Sequence, residues 1–240
     1  MKSIFKILLP VIFLITHGQS FSQNSNIVYI EQTLAWSNTS VNVTQSGNNN
    51  QLTGIDNNQA QIDGNNIIIN ANQYGYSNLI KINMNAWDNN LTINQGSTSA
   101  DTSANSLIFD SHGNSNNSII NQLSNGNTAN IKITYDMNTI NLTQQTGIEN
   151  KSYITIGGNW NTVNNTQSGN NNLAIINVSG DNNSATVNQI GNNHSALLNL
   201  VNAGGANNVN LIQTGNGDTY SVQQICTNPA GCNSTIIRNK

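Results

Sequence analysis

The sequence predicts an all-β chain. The predicted fold is a β-solenoid of about eight strand–turn–strand–turn rungs, with the strands forming two stacked parallel sheets. Three observations carry the prediction. Apolar and polar residues alternate over short runs, the period of a strand. A Gln-x-Gly signal followed by Asn recurs at spacings near 22 residues, as in 73 to 95, 145 to 167 and 167 to 189. The chain is only 7% charged yet 36% hydrophobic, and 52 of its 240 residues are Asn. Disorder through low hydrophobicity usually comes with high net charge; here the net charge is -3, so a β fold is open to it.

Taken from the N-terminus, Lys2 and Lys6 precede an apolar run from Ile7 to Ile15. That run is shorter than the roughly 20 residues a membrane span needs. Small residues flank Phe21 in Ser20-Phe21-Ser22, before Gln23. Residues 1–22 therefore read as a secretory signal, 23–40 as an N-terminal segment with a half-rung or cap, and 41–240 as the repeat region. No later segment is apolar enough to span a membrane. Without Lys2 and Lys6, 5 bases face 10 acids, which excludes a nucleic-acid partner held by basic patches.

The clean copies are Gln45-Ser46-Gly47 with Asn50, Gln73-Tyr74-Gly75 with Asn78, and Gln167-Ser168-Gly169 with Asn172. Gln189-Ile190-Gly191 is followed by His194, and Gln213-Thr214-Gly215 by Asp218. Weaker copies are Gln95-Gly96 with Asn105 after an insert, Gln122 with Gly126 and Asn130, and Gln144 with Gly147 and Asn150. A second turn lies halfway round most units, as in "WDNN" at 87–90 and "GDNN" at 180–183.

Between turns, stepping back by two from Gln189 gives Val187 and Ala185. Stepping forward by two from Asn172 gives Ala174, Ile176 and Val178. Gly, Asn and Asp suit the turns because they tolerate positive φ. One such unit cannot bury its apolar face alone, so stacking must do it. Eight rungs at about 4.8 Å make a rod of roughly 35–40 Å. Each Gln shares the parity of the apolar residues, so in register it lies over the next Gln. Asn lies over Asn in the same way, and amide ladders satisfy their donors and acceptors. The alternative is a set of exposed turn residues with no ladder.

The spacing polar residue, five residues, Gln-x-Gly-x-x-Asn, then alternating apolar residues resembles the curlin repeat. It stands here as Asn183 to Gln189, Gly191, His194, Ala196 and Leu198, and as Asn161 to Gln167, Gly169, Asn172, Ala174 and Ile176. The likeness covers about 41–225, with a half-unit at Asn26 to Gln32. It implies an amyloid-like, secreted structural subunit, exported through the periplasm and a dedicated outer-membrane pore with accessory proteins. Such subunits polymerise with themselves and related curlin subunits into fibres on the bacterial surface, for adhesion and biofilm matrix. The chain departs from the family in several ways. The family's inward Gln late in the second strand is replaced by Met84, Ile156, Val178 and Leu200, and only Gln224 approaches it. No Gly-rich segment follows the signal, and the C-terminus carries Cys226, Cys232, Arg238 and Lys240. Major and minor, nucleator-like roles both stay open.

No enzyme is expected, and no cofactor. His194 occupies an Asn slot and has no oriented nucleophile or acid beside it except Asp218, so catalysis is not indicated. No His pair has metal-ligand spacing. Asp88, Asp110, Asp136 and Asp181 lie at or near the second turn, either as turn formers or as gatekeepers that restrain premature association. Cys226 and Cys232 bracket a Pro- and Gly-containing loop, which suits a disulfide staple over free or intermolecular thiols. The strand after it, "NSTIIRN", is read with Asn239 in the Gln slot. The outward residues Asn42/Thr44, Asn70/Asn72, Thr92/Asn94, Asn164/Thr166 and Thr186/Asn188 form a Thr/Asn face. A monomeric solenoid binding ice or a glycan through that face is the second reading.

Overall fold

The computed structural model describes residues 14–17, 26–32, 39–56, 60–85, 87–96 and 104–240. Among them every regular element is a β-strand, and the strands build a solenoid of about eight turns. Sheet one holds ten strands. It runs from Leu14–His17 through Ser40–Ser46, Ile68–Tyr74, Asn90–Gln95, Asn117–Gln122, Thr139–Thr146, Thr162–Ser168, Ser184–Asn192 and Asn207–Asn216 to Cys232–Asn239. Sheet two holds eleven, from Ile27–Val28 through Gln51–Thr53, Leu79–Asn85, Ser106–Ser111, Thr128–Ile133, Lys151–Gly157, Leu173–Ser179 and Ser195–Asn202 to Thr219–Cys226. Ile30–Gln32 and Ala60–Asp63 lie off that path. All pairings among the described strands are parallel, and from Ile68 on successive strands alternate between the sheets.

The alternation in the sequence becomes two faces. In Leu173–Ser179 the burial alternates at every residue, with Ala174, Ile176 and Val178 buried. The inner residues of the two sheets form one continuous core from Val41 to Leu211. Because register is kept from rung to rung, each core residue stacks on its equivalent. Ile154 lies between Ile131 and Ile176, and Ile156 between Ile133 and Val178. Fully burying one such Ile contributes roughly 1.5–3 kcal/mol.

Departures from a 22-residue period have local causes. Between Gln45 and Gln73 the sheet-two strand is split in two, Gln51–Thr53 and Ala60–Asp63, with the extra residues between them. Between Gln95 and Gln122 the extra residues follow Gly96, before the chain re-enters at Asn105.

Residues 1–22, read from the sequence as a signal, lie outside the described residues except for Leu14–His17, whose backbone pairs with Asn42–Gln45. The strands of the Asn26-to-Gln32 half-unit lie in sheet two, although its spacing copies Asn183-to-Gln189, which forms a sheet-one strand. Both halves of a rung open on Asn and then alternate, so Asn followed by five residues and Gln does not tell them apart. Val28 and Ile30 pack against the core as Ala174 and Ile176 do.

Candidate functional site

The Gln-x-Gly turn places the first ladder. Gly191 has φ +126, and a Cβ there would lie 1.6 Å from the Gly215 carbonyl oxygen of the next rung. Only glycine permits both the left-handed backbone and that close approach. The turn thus brings consecutive rungs together two residues after the Gln.

Gln45, Gln73, Gln95, Gln122, Gln144, Gln167, Gln189 and Gln213 form one unbroken column. Each Nε2 donates to the Oε1 of the next, at 2.7–3.1 Å. A second proton of Nε2 reaches a backbone carbonyl across the rung, as from Gln189 to Leu173 at 2.9 Å. These amides are buried, and the paired donors and acceptors offset the cost of burying them. The ladder has a direction: every amide donates toward the C-terminal rungs.

A second column starts at Asn26, whose Oδ1 accepts from the backbone N–H of Asn50 at 2.9 Å. Asn50, Asn78, Asn105, Asn127, Asn150 and Asn172 each accept from the backbone N–H of the next rung at 2.9–3.1 Å. In the fourth rung the column holds Asn127, not Asn130. Asn130 is exposed on strand Thr128–Ile133, because the column residue follows Gln122 by five residues, as Asn172 follows Gln167.

His194 continues this column, buried at 1% exposure. Its Nδ1 lies 3.4 Å from the backbone N–H of Asp218, which can only donate, and its Nε2 lies 3.2 Å from the Ile190 carbonyl, which can only accept. The neutral Nε2–H tautomer satisfies both and copies an Asn: Asn78 donates to the carbonyl four residues back in the same way. The geometry is that of a rung.

The third column was not read from the sequence as a ladder. Asn89, Asn116, Asn138, Asn161, Asn183 and Asn207 stack at the opposite turn, and the Oδ1 of each of the first five accepts the next backbone N–H at 2.7–2.9 Å. Its signal was the Asn six residues before each Gln from Gln95 on.

The ladders end at strand Cys232–Asn239. Here Arg238, not Asn239, stands in register with Gln213. The strand enters with Ser234 facing in, so Ile236 and Arg238 face in, while Ile237 and Asn239 face out. Arg238 pairs with the buried Asp218 at 3.4 Å and lies over the Tyr220 ring at 5.1 Å. Burial pushes the Asp218 carboxyl up, but the hydrogen bonds and charge of Arg238 outweigh it. With smaller help from Gln213 and His194 they hold it below its ordinary value. Cys226 and Cys232 are joined by a disulfide in the structure, closing the loop that delivers this strand.

The four acids take different places. Asp136 and Asp181 each accept a backbone N–H from the preceding turn at 2.7 Å, from Asn114 and Asn159. Asp110 lies on the outer face of sheet two, 2.9 Å from His112 and 3.1 Å from Asn83. Asp88 sits in a turn with φ 57. Among the described residues no three His, Cys, Asp or Glu come together, and no helix is long and apolar enough to cross a membrane.

Residues 158–191 match the family model of the curlin associated repeat. Over this stretch the chain is similar to the curlin repeat. The matched stretch holds two Asn-to-Gln strands, Asn161 to Gln167 and Asn183 to Gln189, and the sheet-two strand between them. The other rungs reproduce its columns residue for residue at Gln, with substitutions such as His194 and Asp218 at Asn. No curated protein and no solved structure matches the chain.

Proposed function

We infer that the chain is a curli-type structural subunit that assembles end to end into extracellular fibres serving adhesion and biofilm matrix. The observation that carries this reading is the unbroken, directional Gln ladder, together with two sheets whose terminal strands bond on one side only. Cys232–Asn239 bonds to Asn207–Asn216 and to no further strand among those described. Such an edge templates strand addition. The half-rung at 26–32 lies in sheet two and the last strand in sheet one. A second copy therefore continues the alternation between sheets without a gap. The N-terminal edge becomes free when residues 1–22 are removed as a signal. Arg238, a donor-only side chain, ends the column on the side toward which every Gln donates. The acceptor Oε1 of Gln45 ends it on the other.

On this reading the subunit is secreted through a curli-type pore with its accessory proteins, and its partners are further copies and related curlin subunits. The test is to incubate the purified mature chain and follow thioflavin fluorescence with electron microscopy. Filaments with a lag removed by seeds support the reading; persistently monomeric chain counts against it. Seeding of a second curlin at substoichiometric amounts marks a nucleator, and its absence marks a bulk subunit.

A further inference from the structure

The outer faces of the two sheets differ in charge. On sheet one, every outward position at the centre of the eight strands between Ser40 and Ile212 is Asn, Thr, Ser or Ile. None of these strands carries a charged residue on either face. Sheet two carries Lys81, Asp110, Lys132 and Lys151 on its outer face. Among the described residues, the other acids of the repeat lie at turns or strand ends, or, as Asp218, inside.

We propose that the outer face of sheet one is a self-association surface, which pairs with the same face of a second copy to give filaments of two solenoids. Four features favour this occupant. The absence of charge removes the desolvation and repulsion that oppose burying two like faces. The side-chain amides are already ordered along the stack. Asn72 donates to Asn94 at 2.9 Å and Asn94 to Asn121 at 2.8 Å, while Asn42 donates to Asn70 and Asn141 to Asn164, both at 2.9 Å. Burying them costs little further side-chain entropy. Ile68 and Ile119 stand exposed among them at 44% and 39%. A partner must also match rows repeating every rung, and another copy has that pitch by construction, as in paired cross-β sheets.

The area is sufficient. Eight strands at about 4.8 Å by seven residues at about 3.3 Å give roughly 890 Å² per copy. Two copies bury about 1,800 Å², within the range of stable interfaces. The sheet-two face has an apolar stripe of its own, Tyr153, Ile175 and Leu197 in register. Two such faces would also bring their lysines together.

The pairing is lateral. It rests on the end-to-end reading only for its filament form. The experiment measures mass per length of filaments by scanning transmission electron microscopy, and sedimentation of the freshly dissolved chain. The variants are Thr92→Lys/Thr143→Lys/Thr186→Lys on sheet one and Ile108→Lys/Tyr153→Lys/Leu197→Lys on sheet two, each on alternate rungs. The expected result is two chains per molecular repeat for wild type and the sheet-two variant, and a twofold drop to one for the sheet-one variant. Single-solenoid wild-type filaments overturn the proposal, as they would if the face bound ice or a glycan. So does a sheet-one variant that stays paired, or a sheet-two variant that alone loses pairing. If wild type forms no filament, the end-to-end reading fails and sedimentation decides the pairing. A dimer lost only in the sheet-one variant supports it, and a monomer overturns it.

Discussion

At the scale of single residues, His194 acts as an imitation of asparagine. Its two ring nitrogens meet one fixed donor and one fixed acceptor. His194→Asn is expected to keep both bonds and change unfolding free energy by less than about 0.5 kcal/mol. His194→Leu orphans a buried N–H and a carbonyl and is expected to cost about 2 kcal/mol, as read by urea denaturation of the soluble chain. The acid dependence of this rung lies on Asp218. Its carboxyl is held below its ordinary value, so its contribution is present above that value and is lost as the pH falls below about 4. Arg238→Gln should remove most of that acid dependence in a pH series of hydrogen exchange at the last rung.

At the scale of elements, the turns carry the conflicts. Trp160 and Met137 sit in the left-handed region, at φ 54 and 57, with their side chains about half exposed. Equivalent turn positions in other rungs hold Asn182 and Asn66, at φ 58 and 53. Trp160→Asn is expected to raise stability by about 1 kcal/mol, visible as a higher urea midpoint with unchanged slope. The acids at the second turn divide by role. An Asn at 136 or 181 keeps the Oδ1 that accepts from the preceding turn. Replacing Asp88, Asp110, Asp136 and Asp181 together by Asn thus removes charge while leaving the two turn bonds. A shorter assembly lag is expected if these acids are gatekeepers, and an unchanged lag assigns them to turn formation alone. The Gln column was legible because each Gln shares the parity of the apolar residues around it. The end of that column was not. Nothing in "NSTIIRN" fixes which residue faces inward; that is set by where the Cys226–Cys232 loop returns the chain, so Arg238 rather than Asn239 falls in line. The split first-rung strand was hidden for a related reason: a long spacing between repeats shows that residues are inserted, not where.

At the scale of the whole molecule, the solenoid is a stack of near-identical solutions to one problem. Each rung leaves a row of backbone groups and one Gln amide unpaired, and the next rung satisfies them. Repetition makes the fold readable from sequence and leaves the same need at both ends. That need is the basis of the assembly account, and X-ray diffraction from aligned assemblies of the mature chain tests it most directly. The account predicts a meridional reflection near 4.8 Å from rungs continuing across molecules, with an equatorial one near 10 Å from the paired sheets. An assembly lacking the 4.8 Å meridional reflection, or a chain that yields no assembly at all, would contradict it.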